Sequence, residues 1–397
     1  MIFSIDKRSF DQNSLRFVGA GNEGQVYDLG VGGTSAKIYW SNPTSGQELK
    51  LIRLFDIGRE LDQDERVGRL ATLPLAPAFD ETSKGLVGFS MRFLEDFIPL
   101  SYLKYDQNLH MYQASHGFQF TDNTAIEAVK KMFAVLDSLA KRHIAVGDIS
   151  MQNILVDPKT GMPGFVDMDS VHLEGFISSS MGTVGYTDPH LLEMDLNTAG
   201  GLHFDQSTDI FALSVVAYAL LVGIMPHQMA TIPPLASLDD YVKKGISHIR
   251  VLREGFRFLA REGLQLVDRT YVDYVKNRLE ELQTIRGSSG QDGALLIQYF
   301  EDVFVGGRRD NLVDRFGGDE WDSIEPVLIR TGGRRAIDEL ADRFNIPDPR
   351  IAKKHRLIKA LEVPRGPRRN VPFVARDPLS LSAFAAVRGI DLETLIS

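Results

Sequence analysis

The stretch Val146-Gly147-Asp148-Ile149-Ser150-Met151-Gln152-Asn153-Ile154-Leu155-Val156-Asp157, followed by Gly164-Phe165-Val166-Asp167-Met168-Asp169, constrains this chain more than any other segment. Asp148 and Asn153 stand five positions apart, a spacing that puts a carboxylate and an amide oxygen on one short loop. There the carboxylate can take a proton from a hydroxyl while the amide ligates Mg²⁺. Asp167 lies nineteen residues beyond Asp148, after the apolar, strand-like Gly164-Phe165-Val166. A carboxylate at such a strand end can hold a divalent ion against a triphosphate. Each piece alone is commonplace, since isolated acids at strand ends are usually caps or solvated.

Their order along the chain carries the weight. Near the N-terminus comes Gly19-Ala20-Gly21-Asn22-Glu23-Gly24-Gln25-Val26-Tyr27, and ten residues after Tyr27 stands Lys37 in Ala36-Lys37-Ile38-Tyr39. Glycines let backbone N–H groups approach phosphate oxygens with no Cβ in the way, and a lysine supplies a point charge for the phosphates. Val26-Tyr27 and Ser35 to Trp40 read as strands joined by the turn Gly32-Gly33. No helix pattern follows the glycines, so the strand-loop-helix of a dinucleotide site fits poorly.

Glycine loop, lysine strand, Asp-Asn loop and metal turn in this order resemble the protein kinase-like superfamily over residues 10 to 230, and more loosely to 285. Lys37-Ile38-Tyr39, Gly88-Phe89-Ser90-Met91, Val146-Gly147-Asp148 and Val166-Asp167-Met168-Asp169-Ser170 look most like bacterial kinase-like proteins associated with von Willebrand A or helix-hairpin-helix modules. The resemblance implies an α+β, two-lobed fold: an N-terminal antiparallel sheet lobe over 1–93, a mainly helical C-terminal lobe over 94–285, and a helical, basic C-terminal extension over 286–397. It implies ATP and Mg²⁺ in the cleft between the lobes. Asp148 is then the catalytic base, Asn153 and Asp167 are the metal ligands, and Lys37 lies on the α/β-phosphates.

For the nucleotide, the resemblance implies Gly19, Gly21 and Gly24 over the phosphates and Val26 and Leu155 sandwiching the adenine. Met91 stands as gatekeeper before a hinge at Leu94-Glu95-Asp96, where the Arg92 carbonyl and the Leu94 N–H meet the base. A helix glutamate pairs with the lysine in this fold; Glu48 is the first candidate and Glu60 the second, with a first-turn acid facing the helix dipole as the competing reading of Glu48. Thr183, in Gly182-Thr183-Val184-Gly185-Tyr186-Thr187-Asp188-Pro189, would hydrogen-bond Asp148, and Asp209 would anchor the catalytic-loop backbone. The implied reaction is phosphoryl transfer from ATP to a hydroxyl, foremost on Ser or Thr of a protein substrate. Autophosphorylation has candidate acceptors in Ser178, Ser179, Ser180, Thr183 and Thr187. A small-molecule kinase and a nucleotide-binding pseudokinase scaffold remain open alternatives.

Several positions depart from the pattern. Val146-Gly147 replaces the usual His-Arg, which removes the partner of an activation-segment phosphate. Ser150 replaces a lysine, so a charge on the γ-phosphate side must come from elsewhere. Asp169 stands where a glycine is usual, at a cost in access to positive φ. His190 follows Pro189 in place of glutamate, so the ion pair that braces this segment is expected to be missing, and His190 reads as a surface or capping histidine.

Helices are expected over 46–57, where Leu49, Ile52 and Phe55 recur, over 125–140, where Ile126, Val129, Phe133, Leu136 and Ala140 alternate, and over 335–344. The sixteen-residue apolar run Ile210 to Met225 is too short for a comfortable membrane span and reads as a buried helix. The absence of Cys rules out disulfides and thiolate metal sites, and Met1 to Arg8 lacks signal-peptide order, so a cytoplasmic setting with no membrane partner is expected. Net charge is −9, yet residues 350–376 hold nine Lys or Arg against the one acid Glu362, which leaves −17 on the remainder. That basic stretch is expected to dock on the chain's own acidic surface or on an anionic partner.

Overall fold

The computed structural model describes residues 1–63, 70–103, 120–157, 160–173, 176, 182–194, 204–267, 269–287 and 290–316. The helix expected over 335–344, the basic stretch 350–376 and the candidate acceptors Ser178, Ser179 and Ser180 lie outside these residues.

The N-terminal lobe is a seven-stranded antiparallel sheet. Its strands are β1 (Ile2–Ile5), β2 (Arg8–Asp11), β3 (Arg16–Ala20), β4 (Gly24–Asp28), β5 (Thr34–Tyr39), β6 (Ala76–Asp80) and β7 (Leu86–Arg92), in the order β2-β1-β6-β7-β5-β4-β3. Helix α1 (Ser45–Asp62) interrupts it between β5 and β6. Thr44 caps α1, with the Gln47 side chain accepting from the Thr44 N–H at 2.8 Å in a reciprocal capping box. Phe3, Ile5, Tyr27, Ala36, Ile38, Ala78 and Val87 form the sheet's own apolar core.

Helix α1 starts one residue before the expected 46 but runs five residues past the expected 57, and its buried stripe does not follow the expected phase. Leu49 and Ile52 are 60% and 57% exposed, and the inward residues are Lys50, Leu51, Leu54, Phe55, Ile57, Gly58 and Leu61. Leu51 and Phe55 pack on Leu86 and Phe89 of β7, while Leu54, Ile57 and Leu61 join the core of the other lobe. The helix therefore ties the two lobes together.

The C-terminal lobe follows β8 (Ile98–Pro99) and is built on α2 (Asp122–Ala140). Ile126, Val129, Phe133 and Leu136 of α2 are buried, at the spacing expected of a helix with one apolar face. Short pairs β9 (Ile144–Ala145) with β12 (His172–Leu173), and β10 (Ile154–Val156) with β8 and with β11 (Pro163–Phe165), fold the segment between α2 and α3 (Pro189–Glu193). Helix α4 (Gln206–Val222) is buried continuously from Thr208 onward. It is capped by Asp205 and stopped by Gly223, whose φ of 88° only glycine adopts cheaply. Helices α5 (Leu238–Lys243), α6 (His248–Glu254), α7 (Phe256–Arg261), α8 (Thr270–Gln283), α9 (Asp292–Phe304) and α10 (Val313–Phe316) complete it.

The packing does not stop at the Gly/Ser-rich turn near 286, where the extension was expected to begin. Leu296, Tyr299, Phe300 and Val303 of α9 belong to the same core as α2 and α4, and Phe133 meets Tyr299 edge-on at 5.5 Å. The turn is a helix connection inside the lobe; Asp292, just after it, is fully buried and ion-paired with the buried Lys130 of α2. A polar turn in sequence marks a change of direction, and here the apolar face that follows it returns to the core.

Candidate active site

The loop from Val146 to Asn153 is held from below. The Val146 and Gly147 N–H groups donate to the two oxygens of Asp209, at 2.6 and 2.8 Å, so Asp209 anchors this backbone. Gly147 has φ of +76°, and a Cβ there would fall 2.3 Å from the His172 ring. The loop path thus leaves no room for any side chain at the position where an arginine is usual.

Asp148 is fixed on both carboxylate oxygens. Asn153 Nδ2 donates to Asp148 Oδ2 at 2.7 Å and to the Asp148 carbonyl at 2.7 Å, while the Thr183 hydroxyl donates to Asp148 Oδ1. With its nitrogen spent on the loop, Asn153 points an oxygen the other way, and that Oδ1 is buried with no hydrogen-bond partner. A buried acceptor without a donor is costly, and a cation relieves it.

Asp167 is brought alongside by the β10–β11 hairpin, in which Ile154 pairs with Phe165, and by the bond from Val166 N–H to the Asn153 carbonyl at 2.9 Å. Asp167 is exposed and takes φ of +61°. The positive φ expected to trouble Asp169 therefore falls two residues earlier. The donor set fits a hard divalent cation: an orphan amide oxygen and a carboxylate at the ends of adjoining strands.

Lys37, on β5, is 5% exposed and does not pair with Glu48. Its Nζ meets both oxygens of Asp169 at 2.8 and 2.7 Å and Glu23 at 3.2 Å, and the Tyr39 hydroxyl donates to Asp169 Oδ2 at 3.0 Å. Burial alone would depress the Lys37 pKa, but Asp169, Asp167 and Glu23 together hold it above its ordinary value. Glu48 sits half-buried in the first turn of α1, and Glu60 pairs with Arg142 at 3.2 Å. The reason is geometric: Asp169 is buried against Lys37, and the α1 residue on the inward face is Lys50, two positions and about 200° around the helix from Glu48. Lys50 escaped the sequence reading because the stripe was phased on Leu49 and Ile52. Phasing it on Leu51, Leu54, Phe55 and Leu61 puts Lys50 inside.

The glycine loop is a tight hairpin end. Gly21 N–H bonds the Gly24 carbonyl at 2.7 Å, and the Trp40 indole donates to the Gly21 carbonyl at 3.1 Å. A Cβ on Gly24 would lie 2.3 Å from the Ile38 carbonyl, so this glycine serves the contact between strands, whereas Gly19 faces open space and a Cβ on Gly21 would meet the Gly24 carbonyl at an ordinary 3.9 Å. Val26 pairs with Lys37, and Leu155 pairs with Gly164 and Pro99; both side chains keep partly open faces. Met91 pairs with Ser35, Arg92 is tied to Asp62 at the end of α1, and Leu94 is buried against Gly164.

Beyond the cleft, the segment from Gly182 to Asp188 is braced. Gly185 N–H donates to Asp239 at 2.8 Å, and Asp188 caps α3 through the His190 N–H at 2.9 Å. The ion pair expected to be missing is present in another form. Arg309, beyond α9 and over the Phe211 ring, pairs with the buried Asp188 at 2.8 Å. The carboxylate has moved from after Pro189 to before it, and its partner comes from a segment that sequence placed in the extension.

No known family profile matches the chain. It is 25% identical over 265 residues to putative wall-associated receptor kinase-like 13 of Arabidopsis thaliana, across 62% of this chain and 31% of that protein. It is 23% identical over 255 residues to the human serine/threonine-protein kinase 32C, across 62% of this chain and 46% of the other. The chain is therefore similar in sequence to protein kinases. It spans less than half of the length of these relatives. Among solved structures, the Cydia pomonella granulovirus kinase PK-1 superposes with a TM-score of 0.40 at 18% identity, over 57% of this chain and 73% of that one. No helix among the described residues is long and apolar enough to cross a membrane.

Proposed function

We propose that the chain is an ATP- and Mg²⁺-dependent phosphotransferase, foremost a Ser/Thr protein kinase of the kind allied to bacterial von Willebrand A or helix-hairpin-helix kinase-like proteins, with Asp148 as the base. The observation that carries this reading is the Asp148–Asn153–Thr183 constellation with its orphan Asn153 oxygen. Asn153 and Thr183 stop the Asp148 carboxylate from turning, so it presents a fixed acceptor for the proton of an incoming hydroxyl. Asn153 Oδ1 and the Asp167 carboxylate would hold Mg²⁺, which when bound offsets charge on the phosphates. Lys37, kept charged by its carboxylate neighbours, steadies the phosphates, and Val26 and Leu155 offer apolar faces for the base.

The runner-up, a small-molecule kinase, is favoured by one observation: at Gly147 a side chain has no room, so a phosphate on the activation segment has no arginine there to order it. Incubation with Mg²⁺ and either γ- or α-labelled ATP tests the proposal. Transfer of the γ-label to Ser or Thr of the chain or of a protein acceptor supports it. Transfer of the α-label, or binding without transfer of either, overturns it in favour of nucleotidyl transfer or a scaffold.

A further inference from the structure

Among the described residues, the buried Lys50 donates no hydrogen bond and forms no ion pair, although it is only 8% exposed. An ammonium withdrawn from water without a partner costs several kcal/mol, so a lysine is a poor choice here unless an anion arrives. Its surroundings say where that anion would come from. Asp169 and Glu23 attract its charge and Lys37 repels it, which places Lys50 in the same charge cluster as the lysine of β5. Burial pulls its pKa down, as expected of an amine whose countercharges are taken: both Asp169 oxygens are already bound to Lys37.

The helix presents Lys50 rigidly. Leu51 and Phe55 lock α1 to the sheet, and Leu54, Ile57 and Leu61 lock it to the helical lobe. Lys50 heads the buried stripe that continues through Leu54, Ile57 and Leu61 into the core of the helical lobe. On the catalytic loop, Ser150 is buried and uncharged.

We propose that Lys50 is a second phosphate-binding cation of the nucleotide site, taking triphosphate oxygens beside Lys37 while Asp169 keeps Lys37 in place. This rests on the nucleotide reading above and deepens it: one carboxylate from the metal turn orients the strand lysine, and the helix contributes a cation in place of an acid. The ligand class is a polyanionic nucleoside triphosphate; a nucleoside without phosphates gains nothing from Lys50.

The test is calorimetry of the full chain with MgATP and with adenosine, for wild type, Lys50→Met and Lys50→Arg. Lys50→Met is expected to weaken MgATP about tenfold or more, the worth of one charged hydrogen bond, with adenosine affinity unchanged and Lys50→Arg close to wild type. Equal MgATP affinity in wild type and Lys50→Met overturns the Lys50 assignment and leaves the nucleotide reading standing. A wild-type chain that binds neither ligand overturns the nucleotide reading and Lys50 with it. A readout on the native chain covers the case of a variant that does not fold: acylation of Lys50 by an amine-reactive ester, followed by mass spectrometry. MgATP is expected to protect Lys50 and adenosine is not; equal labelling under both conditions counts against the proposal.

Discussion

The two sides of the cleft are built differently. On the side of the helical lobe, Asp148 and Asn153 close the short loop that their spacing implies, with Thr183 on the other carboxylate oxygen and Asp209 beneath. On the side of the sheet lobe, Lys37 is matched by Asp169 from the metal turn, and helix α1 brings a lysine inward instead of the expected glutamate. The contrast shows which contacts are locally encoded. A loop of six residues can close on itself in few ways, whereas a charge cluster drawn from the β3–β4 turn, β5, α1 and the turn at Asp169 depends on the rotation of each element.

The largest expected effect strikes the helical side. Asp148→Asn keeps the hydrogen-bonding shape but cannot take a proton, so turnover should fall about 10²- to 10⁴-fold while ATP affinity holds. Radiolabel transfer and calorimetry on the same preparation check this. If the variant labels itself as fast as wild type, Asp148 is not the base. Next, Asp167→Ala should abolish Mg²⁺-dependent ATP binding, and Lys37→Ala should weaken it by about tenfold. Equal ATP affinity in Asp167→Ala and wild type would move the metal site elsewhere.

Removing the brace behind the helical side should cost fold stability rather than chemistry. Arg309→Met leaves the largely buried Asp188 carboxylate without its countercharge, a loss of about 3 kcal/mol in urea unfolding. Asp188→Asn added to it should recover part of that loss, because the stranded charge is then gone. A fully additive double variant would show that the pair is not coupled.

The same lobe should also be the acid-sensitive one. Burial lowers the pKa of His248 to about 3 and of His227 to about 4, so both stay neutral in the fold while the unfolded chain protonates near 6.5. Their stabilising contribution is therefore whole above pH 6.5 and shrinks as pH falls toward the folded values. At pH 5 the loss is about 2 kcal/mol for each. Urea unfolding of wild type at pH 7.5 and 5.0, against His227→Gln/His248→Gln, checks this; an equal pH slope in the two would rule out these histidines as the cause. The smallest effect belongs to Glu48. Glu48→Ala should leave ATP affinity within about twofold of wild type, and a tenfold loss would restore the glutamate–lysine pair as a working contact.

What the sequence by itself determined is the part of the molecule written in short-range spacing. The Asp148–Asn153 loop, the strand end that carries Asp167 and the buried helix from Gln206 follow from residues whose partners are near in the chain, while the anchor at Asp209, 62 positions from Gly147, was implied only by the family resemblance. The tertiary structure alone decided the rest. Lys37 found Asp169 across 132 positions, Asp188 found Arg309 across 121, and Lys50 entered the cluster because packing on both lobes fixed the rotation of α1. The physical reason is the period of the helix: a shift of one residue in the buried stripe turns a side chain by about 100°, and only the surfaces on either side of the helix select among such phases.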